Sequence, residues 1–283
     1  MPSRFSVCNE VFGKSSFADV CGLIRDIGYR GIEIAPFMLA DDPTQLSAAD
    51  RRSLRNTMER SGLAFVGLHW LLASPKGLHA TTPDQELRSR TWKFIGLLID
   101  LCSDLKDPAS TPVMVFGSPQ QRSAVGALTS AEATRILTDE LARAAPHAEK
   151  RGVQLLLEPL SKNQTDIVTT LEEAVAIVRE IGSPAVQTMF DVHNAVDQTS
   201  PHADLIKRFH SQIRHVHVNE MDGREPGTGN YDFGDLLSAL DQVSYQGWVS
   251  LESFDFSRDG CEIASRALQH LVEASSQPSI QQL

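Results

Sequence analysis

Apolar positions along this chain fall into two alternating rhythms. Short continuous apolar runs, the mark of strands buried on both faces, alternate with stretches where apolar residues recur every three or four positions, the mark of half-buried helices. The runs are Phe5 to Cys8, Gly31 to Ile34, Leu63 to Leu68, Pro112 to Phe116, Val153 to Leu157, Thr188 to Asp191, Ile213 to His217 and Val249 to Glu252. The helical stretches are Phe17 to Ile27, Leu46 to Arg60, Glu86 to Leu105, Ala131 to Lys150, Leu171 to Ile181, His202 to His210, Phe233 to Val243 and Ile263 to Ala274. Gly28, Gly62, Gly152 and Gly182 stand just past helix ends, where glycine takes the left-handed conformation without strain. Pro146 removes a backbone donor inside the fourth helix and is expected to kink it.

Eight strands joined by helices predict an α/β fold with a parallel sheet covered on its outer face. Right-handed crossovers can close such a sheet into a single (β/α)8 barrel. The rival, an open doubly wound sheet, would carry a glycine-rich turn after its first strand. Cys8-Asn9-Glu10-Val11-Phe12-Gly13 is not one. No linker or shift of composition divides the chain. The barrel is expected over residues 1–275, with residues 276–283 as a polar, frayed tail.

Composition narrows the partners more than the fold. A formal net charge of -10 argues against nucleic acid, which is held by clustered lysine and arginine. No apolar run has membrane-spanning length, and the start, Met1 to Phe5, lacks a charged-then-apolar leader. Cys8, Cys21, Cys102 and Cys261 are scattered without metal-binding spacing and are expected to be reduced. A cytoplasmic location is the expectation, with a small molecule as partner.

The chemistry gathers at strand ends. Glu158, Asp191, His217 and Glu252 close the fifth to eighth runs, and active sites of such barrels lie at the carboxyl ends of the strands. Four neighbouring staves can aim four side chains at one point. Three carboxylates and one imidazole make a hard, oxygen-rich donor set that suits Mn²⁺, with Mg²⁺ or Co²⁺ next, over a thiolate-selected metal. A divalent ion polarises a carbonyl and makes the neighbouring C–H acidic. Glu158 and Glu252, on strands separated by two others, are expected to straddle the substrate as the proton-transferring pair.

Glu158-Pro159-Leu160, His215-Val216-His217 followed by Pro226-Gly227-Thr228-Gly229, and Leu251-Glu252-Ser253-Phe254 resemble the xylose isomerase-like TIM-barrel superfamily. Within it the chain is similar to the sugar phosphate isomerase/epimerase group that holds the D-tagatose and D-psicose 3-epimerases. Gly31-Ile32-Glu33-Ile34 and Gly67-Leu68-His69-Trp70 extend the likeness over nearly the whole chain. The resemblance implies a metal on Glu158, Asp191, His217 and Glu252, a ketose substrate, and a homodimer or homotetramer. It also implies a substrate-contacting histidine three residues after Asp191 and an arginine six residues after His217. Asn194 and Gly223 stand at those positions, with His193 and Arg224 beside them.

The remaining site candidates follow strand ends. His69 is expected to touch substrate, Trp70 to wall the pocket, and Arg122 to hold a polar or anionic substrate group. His193, Asn194 and Arg224 complete the expected substrate contacts. Glu33 is expected either to support the centre or to contact it directly. His215 is expected to face away from His217 and serve packing. Elimination or hydrolysis on the same ion is the alternative chemistry, since an enediolate beside a leaving group expels it. An endonuclease IV-like phosphodiesterase is disfavoured by the acidic charge and by a missing Asp-x-His pair after Pro226.

Overall fold

The computed structural model describes residues 4–276. Eight strands, β1 (Phe5–Cys8), β2 (Gly31–Ile34), β3 (Ala64–Leu68), β4 (Val113–Phe116), β5 (Gln154–Leu157), β6 (Val186–Asp191), β7 (Ile213–Val218) and β8 (Trp248–Leu251), pair in sequence order. All pairings are parallel, and Phe5 against Val249 closes β1 on β8, completing the barrel. The helices α1 (Phe17–Ile27), α2 (Ala48–Arg60), α3 (Gln85–Leu105), α4 (Ser130–Arg151), α5 (Leu171–Ile181), α6 (His202–Phe209), α7 (Phe233–Gln242) and α8 (Gly260–Ser276) wrap it.

Local chemistry explains the helix ends. Ser47 with Asp50, Thr129 with Glu132 and Thr170 with Glu173 form reciprocal capping boxes that satisfy the first free amides of α2, α4 and α5. The helix α4 continues through Pro146, which costs one internal hydrogen bond while Leu141, Ala145 and Ala148 stay buried around it. The helix α8 runs to Ser276, so residue 276, expected in a frayed tail, is helical; residues 277–283, the rest of that expected tail, lie outside the described residues. Among the described residues no helix is long and apolar enough to cross a membrane.

Strand periodicity decides what points inward. Side chains two apart share a face. Val66, Val113, Val115, Leu156 and Met189 form a small cluster separate from the large one that includes Leu155, Leu157, Phe190 and Val216 and involves the helices. The small cluster fills the barrel interior. The face that carries Leu156 and Met189 inward therefore also carries Glu158 and Asp191. The same alternation corrects the expectation for His215: two residues from His217, it shares the inward face.

Candidate metal centre

At the carboxyl end of the barrel, Glu158, Asp191, His217 and Glu252 each offer one ligand atom, and all four atoms lie within 4.8 Å of one another. Asp191 ends β6 and His217 lies one residue inside β7, whereas Glu158 and Glu252 are the first residues beyond β5 and β8. All four are at most 5% exposed. Among the described residues no lysine or arginine forms an ion pair with any of them. Three carboxylates gathered out of water around one imidazole are costly unless a cation joins them. The donor set and its confinement fit a divalent ion.

His217 is fixed from below. Its Nε2 lies 3.1 Å from Glu33 Oε1, and Glu33 Oε2 lies 2.8 Å from His215 Nε2. A carboxylate accepting from Nε2–H leaves Nδ1 as the atom that faces Asp191, at 3.5 Å, and Glu252, at 3.0 Å. Glu33 is fully buried and lies beneath the four residues, so it supports the centre. Burial opposes its charge, but His215 and His217 outweigh that and hold its carboxyl well below the usual range. Burial likewise opposes the charge on His217, yet Glu33 and Glu252 raise its pKa well above the ordinary histidine value. His215 is no inert packing residue; its ring shares this carboxylate.

The two glutamates differ. Burial, reinforced by the charges of Asp191 and Glu252, raises Glu158 to about 8. Burial also disfavours the ionised Glu252, but the His217 charge and hydrogen bonds from His217 and Trp70 lower it below the usual value. Glycine at position 117 is required by the first of these side chains: a Cβ there would stand 2.1 Å from Glu158 Oε2.

The other expected contacts separate into three groups. His193, Asn194 and Trp70 line a cavity of about 540 Å³ above the four residues, together with Glu158 and Glu252. Asn194 Nδ2 donates to Glu158 Oε1 at 3.0 Å and its backbone N–H to Asp191 Oδ1 at 2.7 Å, so its visible work is to orient ligands. Trp70 is more than a wall, since its indole N–H donates to Glu252 Oε1 at 2.7 Å. His193 is held by its Nδ1 on Met221 O at 2.8 Å.

His69 also borders the cavity, but its side chain is fully buried and its Nε2 lies 3.0 Å from Glu10 Oε1. Burial opposes its charge; Glu10 overcomes this and raises it to about 9. Arg122 is not on the cavity wall. It is wholly buried, with Nη1 donating to Phe116 O at 2.9 Å, the same carbonyl that accepts from Glu158 N–H at 3.3 Å. Its expected contact with an anionic substrate group is not what the structure places there: the loop after β4 folds the guanidinium behind Glu158. Arg224 is likewise turned outward, paired with Asp222 Oδ2 at 2.7 Å and nearly half exposed. Its neighbour Gly223 takes φ +84°, which aims position 224 away from the cavity.

Two participants escaped the sequence reading. Glu10 is the second residue after β1 and falls under the same strand-end rule that singled out the four candidate ligands. Gln164 donates to Asn194 Oδ1 at 2.6 Å from a loop without periodicity, and nothing in its local sequence marks it. A wider hollow of about 800 Å³ lies at the opposite end of the barrel, beside Arg4 and Arg214, away from the four ligands.

Comparison with known proteins places this architecture. Residues 21–274 match the family model described as xylose isomerase-like TIM barrel, and the chain belongs to that family. A probable ketose 3-epimerase of Synechocystis sp. is 26% identical over 81% of this chain and 75% of its own length. A D-psicose 3-epimerase of Enterocloster bolteae is 34% identical, over 38% of this chain and 36% of that protein. Among solved structures, a D-psicose 3-epimerase from Clostridium cellulolyticum H10, with D-tagatose, superimposes with a TM-score of 0.82 at 17% identity, covering 96% of this chain and 99% of that one. A 3-keto-D-glucoside 4-epimerase from E. coli gives 0.82 at 18% identity, over 95% and 99%. At such identities the structural likeness establishes the fold alone.

Proposed function

We propose that this chain is a divalent-metal-dependent epimerase or isomerase of a keto sugar or sugar derivative, working by proton transfer beside a carbonyl. The observation that carries the reading is the convergence of Glu158, Asp191, His217 and Glu252, four buried side chains whose ligand atoms lie within 4.8 Å of one another at the carboxyl end of the barrel. The names of the relatives, ketose 3-epimerases among them, support sugar epimerisation as the class. Residues 1–275 act in this reading as one catalytic domain.

Glu158, Asp191, His217 and Glu252 would hold the ion, with Mn²⁺ the best match to their donors. When bound, the ion supplies Lewis acidity to the substrate carbonyl and so acidifies the adjacent C–H. Glu252, kept ionised by His217 and Trp70, takes that proton and leaves an enediolate. Glu158 returns a proton to the opposite face, which inverts the carbon. Asn194 and Trp70 hold the two carboxylates in orientation, and Glu33 keeps the His217 tautomer fixed. The free, buried or half-buried cysteines suit a reducing, cytoplasmic setting.

The test uses Mn²⁺-loaded and chelator-stripped protein incubated with ketoses and keto-glycosides in D₂O. Deuterium is expected at the inverted carbon of recovered epimer, only with the loaded protein. Release of a fragment would replace epimerisation by elimination. No exchange on any substrate would sink the reading.

A further inference from the structure

The cavity mouth is chemically divided. In the closed order of strands, the loops after β8, β2 and β3 lie on one arc and those after β4, β5 and β6 on the opposite arc. The first arc supplies Trp70 and Phe254, which line the cavity with ring centroids 6.3 Å apart; Phe37 packs on Trp70 at 5.9 Å outside the lining, and His193, from the opposite arc, meets Phe254 at 5.2 Å. Such a pair is longer than one sugar ring. Trp70 sits at φ +52°, a strained setting for a bulky side chain, and is 37% exposed while its N–H is fixed on Glu252. The indole thereby lines the cavity beside Glu252.

The opposite arc lines the cavity with carboxamides: Gln120, Gln121, Asn163, Gln164 and Asn194. These are neutral donors and acceptors. Arg224 is taken up by Asp222, Arg122 is buried behind the wall, and a single exposed lysine, Lys76, borders the cavity. A phosphate is held by convergent cations or backbone amides, and a lone exposed lysine is a poor substitute. A sugar has an apolar C–H face and a rim of hydroxyls, which matches rings on one side and amides on the other. The volume of about 540 Å³ falls in the range that encloses a drug-sized ligand.

We infer that the site takes a neutral keto-glycoside, its keto ring over the four candidate ligands and a second ring or apolar aglycone on the Trp70–Phe254 pair. This rests on the epimerase reading above. The experiment compares kcat/KM of the Mn²⁺-loaded protein for phenyl 3-keto-glucoside, D-fructose and D-fructose 6-phosphate, read by deuterium exchange. Stacking on two rings gives the phenyl glycoside an expected advantage of about tenfold to a hundredfold over either ketose. Phe254→Ala is expected to cut that advantage about threefold to tenfold. In parallel, saturation-transfer NMR with unreactive phenyl β-glucoside is expected to show saturation on the aglycone protons. Equal or better turnover of either ketose overturns the inference, as does an aglycone that receives no saturation. Saturation of the aglycone without exchange on any substrate keeps the glycoside site and rejects the epimerase reading.

Discussion

The Glu158 side and the Glu252 side of the centre are built from the same residue type and solve opposite problems. Glu252 receives the indole N–H of Trp70 and faces His217 at 3.0 Å, so its negative charge is balanced where it stands. Glu158 receives only the Asn194 amide, at 3.0 Å, and has no cation at ion-pairing distance among the described residues. Arg122 offsets part of the cost from behind the wall, and burial in turn lowers Arg122 to about 10. Identical carboxyls thus acquire different proton affinities from their neighbours alone. In the proposed mechanism that difference lets one residue type serve as both base and acid.

The comparison breaks most visibly if the two glutamates are neutralised one at a time. Glu158→Gln and Glu252→Gln are each expected to lower kcat by about a hundredfold to ten-thousandfold, the usual weight of a positioned acid or base. Each should retain deuterium exchange from one epimer only, and from opposite epimers in the two variants. Loss of exchange from both epimers in both variants would mean that the glutamates serve only as metal ligands. Retention of activity and metal content in Glu158→Gln would remove that residue from the centre.

A second way to sharpen the difference uses pH on metal-free protein. Glu158, raised to about 8, and His69, raised to about 9, bind protons more tightly folded than unfolded. Their contributions are fully present below their unfolded values, near 4.5 and 6.5, and disappear as pH rises through about 8 and about 9. The lowered Glu33 and Glu252 act the other way and lose their contribution as pH falls below the carboxylate range. Thermal melts in chelator are therefore expected to drop by about 5–10 °C between pH 6 and pH 9. Saturating Mn²⁺ should flatten that slope, because the ion needs the ligands deprotonated and takes over the balancing role. A chelated protein equally stable at both pH values would contradict the assigned environment of Glu158.

How far the sequence showed this asymmetry depends on which interaction sets each part. The barrel was legible because each strand and helix announces itself within a dozen residues. The convergence of four candidate ligands was legible because polar residues at Glu158, Asp191, His217 and Glu252 interrupt apolar runs at equivalent places. His215 was misplaced by a wrong face assignment, although strand alternation already put it beside His217. Arg122 and Arg224 were not legible at all. Loop backbone decides where their long side chains go, through Gly223 at φ +84° and the turn after β4, and no local periodicity encodes that outcome. The Glu10–His69 pair joins the segments just beyond β1 and β3 over the intervening β2, a contact that sheet order creates and no local pattern encodes.

The smallest expected effect tests the two orienting hydrogen bonds against each other. Trp70→Phe removes the donor to Glu252 and keeps an aromatic ring, while Asn194→Ala removes the donor to Glu158. A hydrogen bond to a charged group contributes about 1.5–3 kcal/mol, so either change is expected to cost about tenfold to a hundredfold if its carboxylate is ionised in the working enzyme. Glu252 meets that condition, and Trp70→Phe should reach the range. In the proposed cycle Glu158 holds a proton for part of the time, and its bond from Asn194 weakens whenever it does. Asn194→Ala should therefore lower kcat by about threefold to tenfold, with the deficit growing as pH rises and the carboxylate form gains. Measured as pH profiles of kcat for the two variants, a flat deficit for Trp70→Phe beside a rising one for Asn194→Ala is the signature of unequal carboxyls. Equal and parallel deficits would mean that the metal-bound site erases the difference between them.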